Sequence, residues 1–184
     1  MNMTLDGFCD HTSGIPDEEL HQHYTDLLNH SGTALYGRIT YELMQYWQTV
    51  LENPTGDKAM DDFAVAIDRI PKVVFSHTLQ NAEPLENGWK SASLAKKDLK
   101  ATVLDLREQT GKNILVCSPG LINALTKLHL IDEYQLCIHP VIGGSKLPLF
   151  KEMNEQLVLK LLKTKSFDSG VVLHYYDVVK KNNK

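Results

Sequence analysis

The chain has 184 residues, enough to bury a hydrophobic core, and we predict a single domain over residues 1–184. Its net charge is −4 and it has no basic block, which argues against a nucleic-acid-binding protein. No apolar run approaches the ~18 residues that a membrane span needs, and we find no signal peptide. Three widely spaced cysteines form no disulfide framework. We therefore expect a cytoplasmic protein that binds neither nucleic acid nor membrane.

Strand patterns alternate with amphipathic helix patterns over the first two thirds of the chain, and strand patterns dominate afterwards. Helices are predicted at about residues 16–29, 37–47, 57–70, 98–109 and 119–128. Strands are predicted at residues 1–5, 33–36, 72–76, 113–117, 133–138, 157–165 and 171–179, with another short one near Trp89. The last two join across residues 167–170, a hairpin turn signal. This order is typical of an α/β sheet that carries helices on its faces and ends in an antiparallel hairpin.

Three junctions in the chain share one pattern: a strand, then a turn with Gly, Ser or Pro, then a helix. They lie within residues 34–42, 73–78 and 115–121. At the carboxyl end of a strand, such turns point backbone N–H groups and a helix N-terminus outward, an arrangement that attracts phosphate. Arg38 adds a guanidinium that can bind phosphate through two hydrogen bonds, and Thr40 adds a hydroxyl. Together the turns favour a nucleotide-type ligand, although ordinary strand-to-helix geometry explains any single one.

The other reactive side chains have simpler interpretations. His21 and His23 are two positions apart, so they diverge around a helix, and no carboxylate or cysteine cluster accompanies them. We therefore predict no metal site. His139 closes a strand, which favours a structural role. Ser118 lacks the Gly-x-Ser-x-Gly frame of a hydrolase nucleophile.

Seven short motifs occur in one order between residues 3 and 179. They are Met3–Phe8, Leu35–Glu42, Lys72–Leu79, Ser118–Ile122, Leu130–Tyr134, His139–Gly144 with Leu149-Phe150, and the turn Phe167–Gly170. Taken together, they resemble the dihydrofolate-reductase-like superfamily. The most similar branch contains stand-alone relatives of the C-terminal reductase domain of the bifunctional riboflavin-biosynthesis deaminase/reductase.

This resemblance implies a central mixed, mostly parallel sheet, flanked by helices, with a C-terminal antiparallel hairpin. It also implies that NADPH lies across the carboxyl ends of the strands. The implied cofactor-binding residues are Gly37, Arg38 and Thr40 at the adenosine-side phosphates, Ser76 and His77 around the ribose 2′-phosphate, and Ser118, Pro119, Gly120 and Leu121 at the pyrophosphate. The loop at Asp6-Gly7 and the first helix would border the nicotinamide and the substrate.

The implied activity is an NADPH-dependent reduction of a C=O or C=N group in a small heterocyclic or sugar-linked substrate. By analogy with the riboflavin branch, the substrate would resemble 5-amino-6-(5-phosphoribosylamino)uracil. Asp6 and His21 are the candidate catalytic acids. One alternative is a true dihydrofolate reductase with a displaced acid, since the acid of that enzyme's first helix would fall near His21. The other is an NADPH-binding module without turnover.

We also expect a homodimer, as relatives in the riboflavin branch commonly pair through strands late in the sheet. Residues 157–162 place apolar side chains on both faces of a predicted strand, and residues 171–173 do the same opposite them. A hairpin with one solvated face would alternate instead. The alternative is that the predicted helix at 98–109 covers the second face within one chain.

Overall fold

A computed structural model describes residues 1–9, 12, 14–78, 88–109, 111–143, 147–153 and 155–179. The helices in these ranges are α1 (Glu18–Asn29), α2 (Arg38–Met44), α3 (Tyr46–Glu52), α4 (Lys58–Arg69), α5 (Leu99–Glu108) and α6 (Pro119–Lys127). The strands are β1 (Asn2–Thr4), β2 (Ser31–Gly37), β3 (Lys72–Phe75), β4 (Ala92–Leu94), β5 (Asn113–Val116), β6 (Glu133–His139), β7 (Leu159–Ser166) and β8 (Val172–Val178). Described residues 18–121 form one compact unit, the middle unit, and those before and after them form a second, the terminal unit.

The middle unit contains a four-stranded parallel sheet in the order β4–β3–β2–β5. Strand β2 pairs on both sides, and its Ala34, Leu35 and Tyr36 are almost completely buried. The apolar centre of this strand is typical of a strand that is paired on both sides within a parallel sheet. Since parallel strands end at the same edge, the turns that follow β2, β3 and β5 share one edge of this sheet.

Side-chain caps start two helices of the middle unit where they were predicted. The Asp57 carboxylate accepts hydrogen bonds from the N–H groups of Ala59 and Met60 at the start of α4. Asp98 accepts one from the Ala101 N–H group at the start of α5. Each cap satisfies helix donors that have no partner within the helix. Helix α4 contributes Ala66 and Ile67 to the core, which contains Leu28, Ala34, Tyr36, Tyr41, Ala66, Ile67, Ile70, Val74 and Trp89.

Three element boundaries differ from the prediction. The single helix expected at residues 37–47 is two helices, α2 and α3, separated at Gln45. Helix α1 begins at Glu18, two residues late. Strand β2 begins early, at Ser31, and its ladder with β5 is irregular between Ser31 and Thr33. A Cβ at Gly32 would lie 3.3 Å from Lys112 Cβ, so this residue admits a close neighbour and does not end the helix in a turn.

The terminal unit contains a mixed sheet in the order β1–β6–β8–β7. Strands β1 and β6 are parallel, whereas β8 runs antiparallel to both β6 and β7. The predicted hairpin joins β7 to β8, and Gly170 has the positive φ of 81° that favours glycine in its turn. The predicted α/β class, with mainly parallel pairing, flanking helices and a C-terminal antiparallel hairpin, is therefore confirmed.

His139 ends β6 as a buried side chain of the terminal unit. Its Nδ1 accepts a hydrogen bond from the Ile15 N–H group at 3.0 Å, so the imidazole is neutral and carries its proton on Nε2. Burial lowers its pKa, the amino group of Met1 lowers it further, and the Asp17 carboxylate opposes them. These contacts join the segment before α1 to β6, in agreement with the structural role that we predicted.

Lys72 is a buried lysine at the start of β3, with 1% of its surface exposed. Its Nζ donates to the carbonyl oxygens of Asp68 and Ile70 and to the Ser91 hydroxyl, at 3.2, 2.9 and 2.8 Å. The same atom lies 4.5 Å from the centre of the Trp89 ring. Burial lowers the Lys72 pKa from 10.5 to about 8, because removing an ammonium from water disfavours its charged form.

We predict that Lys72 makes stability rise with pH above 8. Between pH 8 and 10.5 the unfolded chain keeps the Lys72 proton while the folded chain releases it, so the free energy of unfolding increases with pH. In that window the free energy of unfolding of the wild type should rise by up to ~1.4 kcal/mol per pH unit relative to that of Lys72→Met. Urea unfolding of both proteins at several pH values measures this difference.

The exposed Lys90 provides the matched control. The difference in free energy of unfolding between the wild type and Lys90→Met should stay constant over the same pH range. A constant difference for Lys72→Met as well would contradict the low pKa of Lys72.

Candidate functional site

Two of the predicted turns are joined by a direct hydrogen bond at the carboxyl edge of the parallel sheet. The backbone ladder between β2 and β5 runs up to the bond from Cys117 N–H to the Leu35 carbonyl, at 3.0 Å. One step further, the Gly37 N–H group donates to the Ser118 hydroxyl at 2.8 Å. The ends of β2 and β5 therefore hold the turns at residues 37–40 and 118–121 side by side.

Tyr36 is buried and Cys117 is partly buried, and each directly precedes one partner of this bond. Their side chains are hydrogen-bonded to each other. Burial raises the pKa of the Cys117 thiol to about 11 and raises the pKa of Tyr36 well above its usual value. A thiol with this pKa stays protonated at neutral pH, so Cys117 is a poor nucleophile.

Arg38 begins α2 next to the Gly37–Ser118 bond. Its Nη1 donates to both carboxylate oxygens of Glu42, at 3.0 and 3.1 Å, and both side chains are more than 40% exposed. A helix pair of this kind contributes only about 0.3–0.5 kcal/mol, so a phosphate can displace Glu42 at little cost. Thr40 lies in the same first turn and is partly exposed.

The turn after β3 lies on the other side of β2. Phe75 is the ladder partner of Gly37, which brings Ser76 and His77 to the same edge as Arg38. The Ser76 hydroxyl accepts a hydrogen bond from the Thr78 N–H group at 3.1 Å, which fixes a tight turn. The His77 side chain is exposed.

The first turn of α6 presents backbone N–H groups at this edge. Pro119 has no N–H, so Gly120 and Leu121 supply the first donors of the helix, and such donors have no partner within it. A Cβ built at Gly120 would meet no atom within 4 Å, so the space in front of this residue is open. The structure thus brings together Gly37, Arg38, Thr40, Ser76, His77, Ser118, Pro119, Gly120 and Leu121 at one edge of one sheet.

A fourth turn at this edge was not predicted. Strand β4 pairs in parallel with β3, so Lys96 and Lys97 follow its carboxyl end and lie at the edge shared by the other turns. Lys97 Nζ lies 2.6 Å from the Asp105 carboxylate, and Lys96 is exposed. The Lys-Lys pair after a short strand was the available signal, but the sequence placed that strand only approximately.

The two candidate acids belong to different units. His21 is on α1 of the middle unit, where its ring packs against the rings of Trp47 and Phe63, with centroids 6.1 and 6.3 Å away. Asp6 is in the terminal unit, and its carboxylate accepts hydrogen bonds from the Thr4 hydroxyl at 2.6 Å and the Gly143 N–H group at 3.0 Å. The bond from Thr4 is the main reason that the Asp6 pKa is lowered. Asp6 is therefore ionised at neutral pH and fixes its own loop.

The described residues lack both a metal-binding group and a membrane-spanning helix. They contain no group of three or more His, Cys, Asp or Glu side chains that could hold a metal ion. None of the helices described is long and apolar enough to cross a membrane.

Solved structures share this fold over nearly the whole chain. A putative riboflavin biosynthesis protein from Shewanella sp. PV-4 superposes with a TM-score of 0.72 at 19% identity, over 98% of this chain and 97% of that one. A pyrimidine reductase-like protein from Corynebacterium diphtheriae gives a TM-score of 0.63 at 13% identity, over 98% and 90% of the two chains. RibD of Acinetobacter baumannii gives 0.70 at 18% identity, over 97% of this chain but 56% of that longer one.

Sequence comparison gives a more specific assignment. The Bacillus subtilis protein YyaP is 32% identical over 180 residues, which span 95% of this chain and 90% of YyaP. YwjB of the same organism is 29% identical over 153 residues, 83% of this chain and 77% of that protein. The model of the RibD C-terminal domain family matches residues 1–173. The chain belongs to the RibD C-terminal domain family.

Proposed function

We propose that the chain is a cytoplasmic NADPH-dependent oxidoreductase. It would reduce a C=O or C=N group in a small heterocyclic or sugar-linked substrate such as a ribosylaminopyrimidine phosphate. The observation that carries this proposal is the alignment of the turns after β2, β3 and β5 at one edge of a parallel sheet. Family membership supports it, as do two fold relatives, a putative riboflavin biosynthesis protein and a pyrimidine reductase-like protein.

The residues at the sheet edge fit a dinucleotide that carries several phosphates. Arg38 supplies a weakly held guanidinium, and Gly120 and Leu121 supply N–H donors beside open space. Lys96 adds a second cation beside the turn that carries Ser76 and His77. We assign the diphosphate to Arg38 with the start of α6, and the 2′-phosphate to the turns after β3 and β4.

The bound cofactor would supply a hydride, and this chain would supply binding and orientation. The Tyr36–Cys117 pair and the Gly37–Ser118 bond link the ends of β2 and β5 without a ligand. A site that is ordered before binding loses less conformational freedom when the ligand binds, so more of the free energy of its contacts appears as affinity.

We predict that NADPH stabilises the protein more than NADH does. A cofactor at 100 times its dissociation constant adds ~2.7 kcal/mol, which is roughly 5–10 °C in Tm for a domain of this size. Arg38→Ala should reduce the rise in Tm that NADPH causes, since a charged hydrogen bond is worth about 1.5–3 kcal/mol. Lys96→Ala should narrow the difference between the rise in Tm that NADPH causes and the rise that NADH causes. Differential scanning fluorimetry with both cofactors measures all three effects.

Arg69→Ala is the matched control for Arg38→Ala. Arg69 is exposed in the last turn of α4, just before β3, and therefore lies at the opposite edge of the sheet. Arg69→Ala should leave the rise in Tm that NADPH causes unchanged. Equal shifts for the two cofactors in the wild type, or an unaffected shift in Arg38→Ala, would refute the assigned site.

We predict turnover with a ribosylaminopyrimidine phosphate and little with dihydrofolate. His21 stands where the resemblance places the acid of a true dihydrofolate reductase, and its ring is packed among aromatic side chains. NADPH consumption with each compound, and with neither, measures this preference. Rapid turnover of dihydrofolate alone would support the dihydrofolate reductase alternative. Tight NADPH binding without turnover of either would support the non-catalytic module.

Exposed apolar side chains in and before strand β7 support a second proposal, that two chains form a dimer. This strand is the outermost of its sheet, and Val158, Leu161 and Leu162 in and before it are 59, 51 and 49% exposed. Lys160 and Lys163 lie among them, and charged side chains of this kind oppose open-ended strand addition. We propose a closed pair of chains that covers these apolar residues.

We predict a dimer of about twice 20.8 kDa in solution at micromolar concentration. Leu161→Lys should shift it toward the monomer, because a buried lysine there would lose its hydration. Size exclusion coupled to light scattering measures the mass. Leu104→Lys, at an exposed leucine of α5, is the control and should leave the mass unchanged. A wild-type mass near 20.8 kDa would refute the dimer.

A further inference from the structure

Ser118 occupies a helix-capping position but does not cap its own helix. It directly precedes α6, where a serine hydroxyl commonly accepts a hydrogen bond from the second or third N–H group of the helix. Here the hydroxyl accepts from Gly37 N–H on the neighbouring strand instead, at 2.8 Å. The Ser118 side chain is also buried, with 3% of the residue exposed.

The bond replaces a rung of the parallel ladder. Since Cys117 N–H donates to the Leu35 carbonyl, regular pairing would direct the next bond from Gly37 N–H to the Cys117 carbonyl. The rung after it would need an N–H group at Pro119, which proline lacks. The ladder therefore ends here, and the Ser118 hydroxyl provides the last link between β2 and the turn that follows β5.

This arrangement leaves the first donors of α6 available. The N–H groups of Gly120 and Leu121 donate no hydrogen bond to the Ser118 hydroxyl, and the space beside Gly120 is open. At the same time the Gly37 N–H group is already engaged. A phosphate at this edge would therefore meet Arg38 and the start of α6, and neither Gly37 N–H nor the buried Ser118 hydroxyl.

We infer that Ser118 is a positioning residue of this edge, a role that rests on the proposed binding of NADPH. Its hydroxyl holds the turn at residues 37–40 against the start of α6, so that Arg38 and the free N–H groups keep a fixed relation. It acts through Gly37 and does not itself bind phosphate. The requirement at position 118 is then a hydroxyl, which threonine also has, and not merely a small side chain.

Two measurements on purified full-length protein test this role. The first is hydrogen exchange of the Gly37 amide by NMR without ligand, and the second is the dissociation constant of NADPH by calorimetry. Ser118→Ala should speed exchange of this amide and weaken NADPH binding roughly three- to tenfold, the value of one neutral hydrogen bond. Ser118→Thr should restore both properties.

Gly37→Pro removes the same hydrogen bond from its other end. The φ of Gly37 is −79°, which proline accepts, and Gly37→Ala keeps the N–H group and adds a Cβ at an ordinary 3.7 Å from Ser118. In Gly37→Pro alone the proline ring would meet the Ser118 hydroxyl, so the informative comparison is made without that hydroxyl. If the bond acts as inferred, the double variant of Gly37→Pro and Ser118→Ala binds NADPH no more weakly than Ser118→Ala alone. Gly37→Ala should keep the slow amide exchange.

Three results would overturn the inference. They are unchanged NADPH affinity in Ser118→Ala, weaker affinity with unchanged Gly37 exchange, and additive effects in the double variant. The second result would mean that Ser118 contacts the ligand directly. If the wild type binds no NADPH, the proposed function fails, whereas the Gly37 exchange still reports whether Ser118 links the two turns. If Gly37→Pro does not fold, exchange and affinity in Ser118→Ala and Ser118→Thr decide the matter.

Discussion

The candidate site depends on the pairing of β2 with a parallel neighbour on each side. A strand that is buried on both faces must satisfy every backbone N–H and C=O group, because no water reaches them. Parallel pairing with β3 and β5 does so, and it brings the ends of three strands to one edge. The ladder stops at Gly37, where the chain turns into α2. Each turn that could bind a ligand begins where a strand of this sheet ends.

Buried polar side chains reinforce both ends of the sheet. At the carboxyl edge, the Tyr36–Cys117 pair and the Ser118 hydroxyl satisfy each other or the backbone. At the amino edge, the Lys72 ammonium is surrounded by three oxygen acceptors and the face of Trp89. Burial of an ammonium is unfavourable, and hydrogen bonds to all its donors offset the cost. Polar burial of this kind favours one arrangement of the strands over others, because other arrangements would leave these groups unpaired.

The terminal unit uses hydrogen bonds from loops to side chains to fix its strand ends. Asp6 joins the turn after β1 to Gly143, and His139 joins β6 to Ile15. The Ser169 N–H group in the β7–β8 turn donates to the Asp17 carboxylate at 3.0 Å. Segments that follow strands are thereby tied to residues distant in sequence. These bonds give Asp6 and His139 defined positions at strand ends of the terminal unit.

The amino-acid sequence by itself determined the element types and most of their limits. Period-3.6 and period-2 patterns, with the caps Asp57 and Asp98, act locally and place α4, α5 and the β7–β8 hairpin correctly. The order of the seven motifs indicated the family, and the three predicted turns after strands marked the candidate site. Only the tertiary structure decided the break at Gln45, the partners of the Ser118 and Lys72 side chains, and the position of Lys96 beside β3. These features depend on which strands become neighbours, and strand pairing joins residues whose separation in sequence leaves no local pattern.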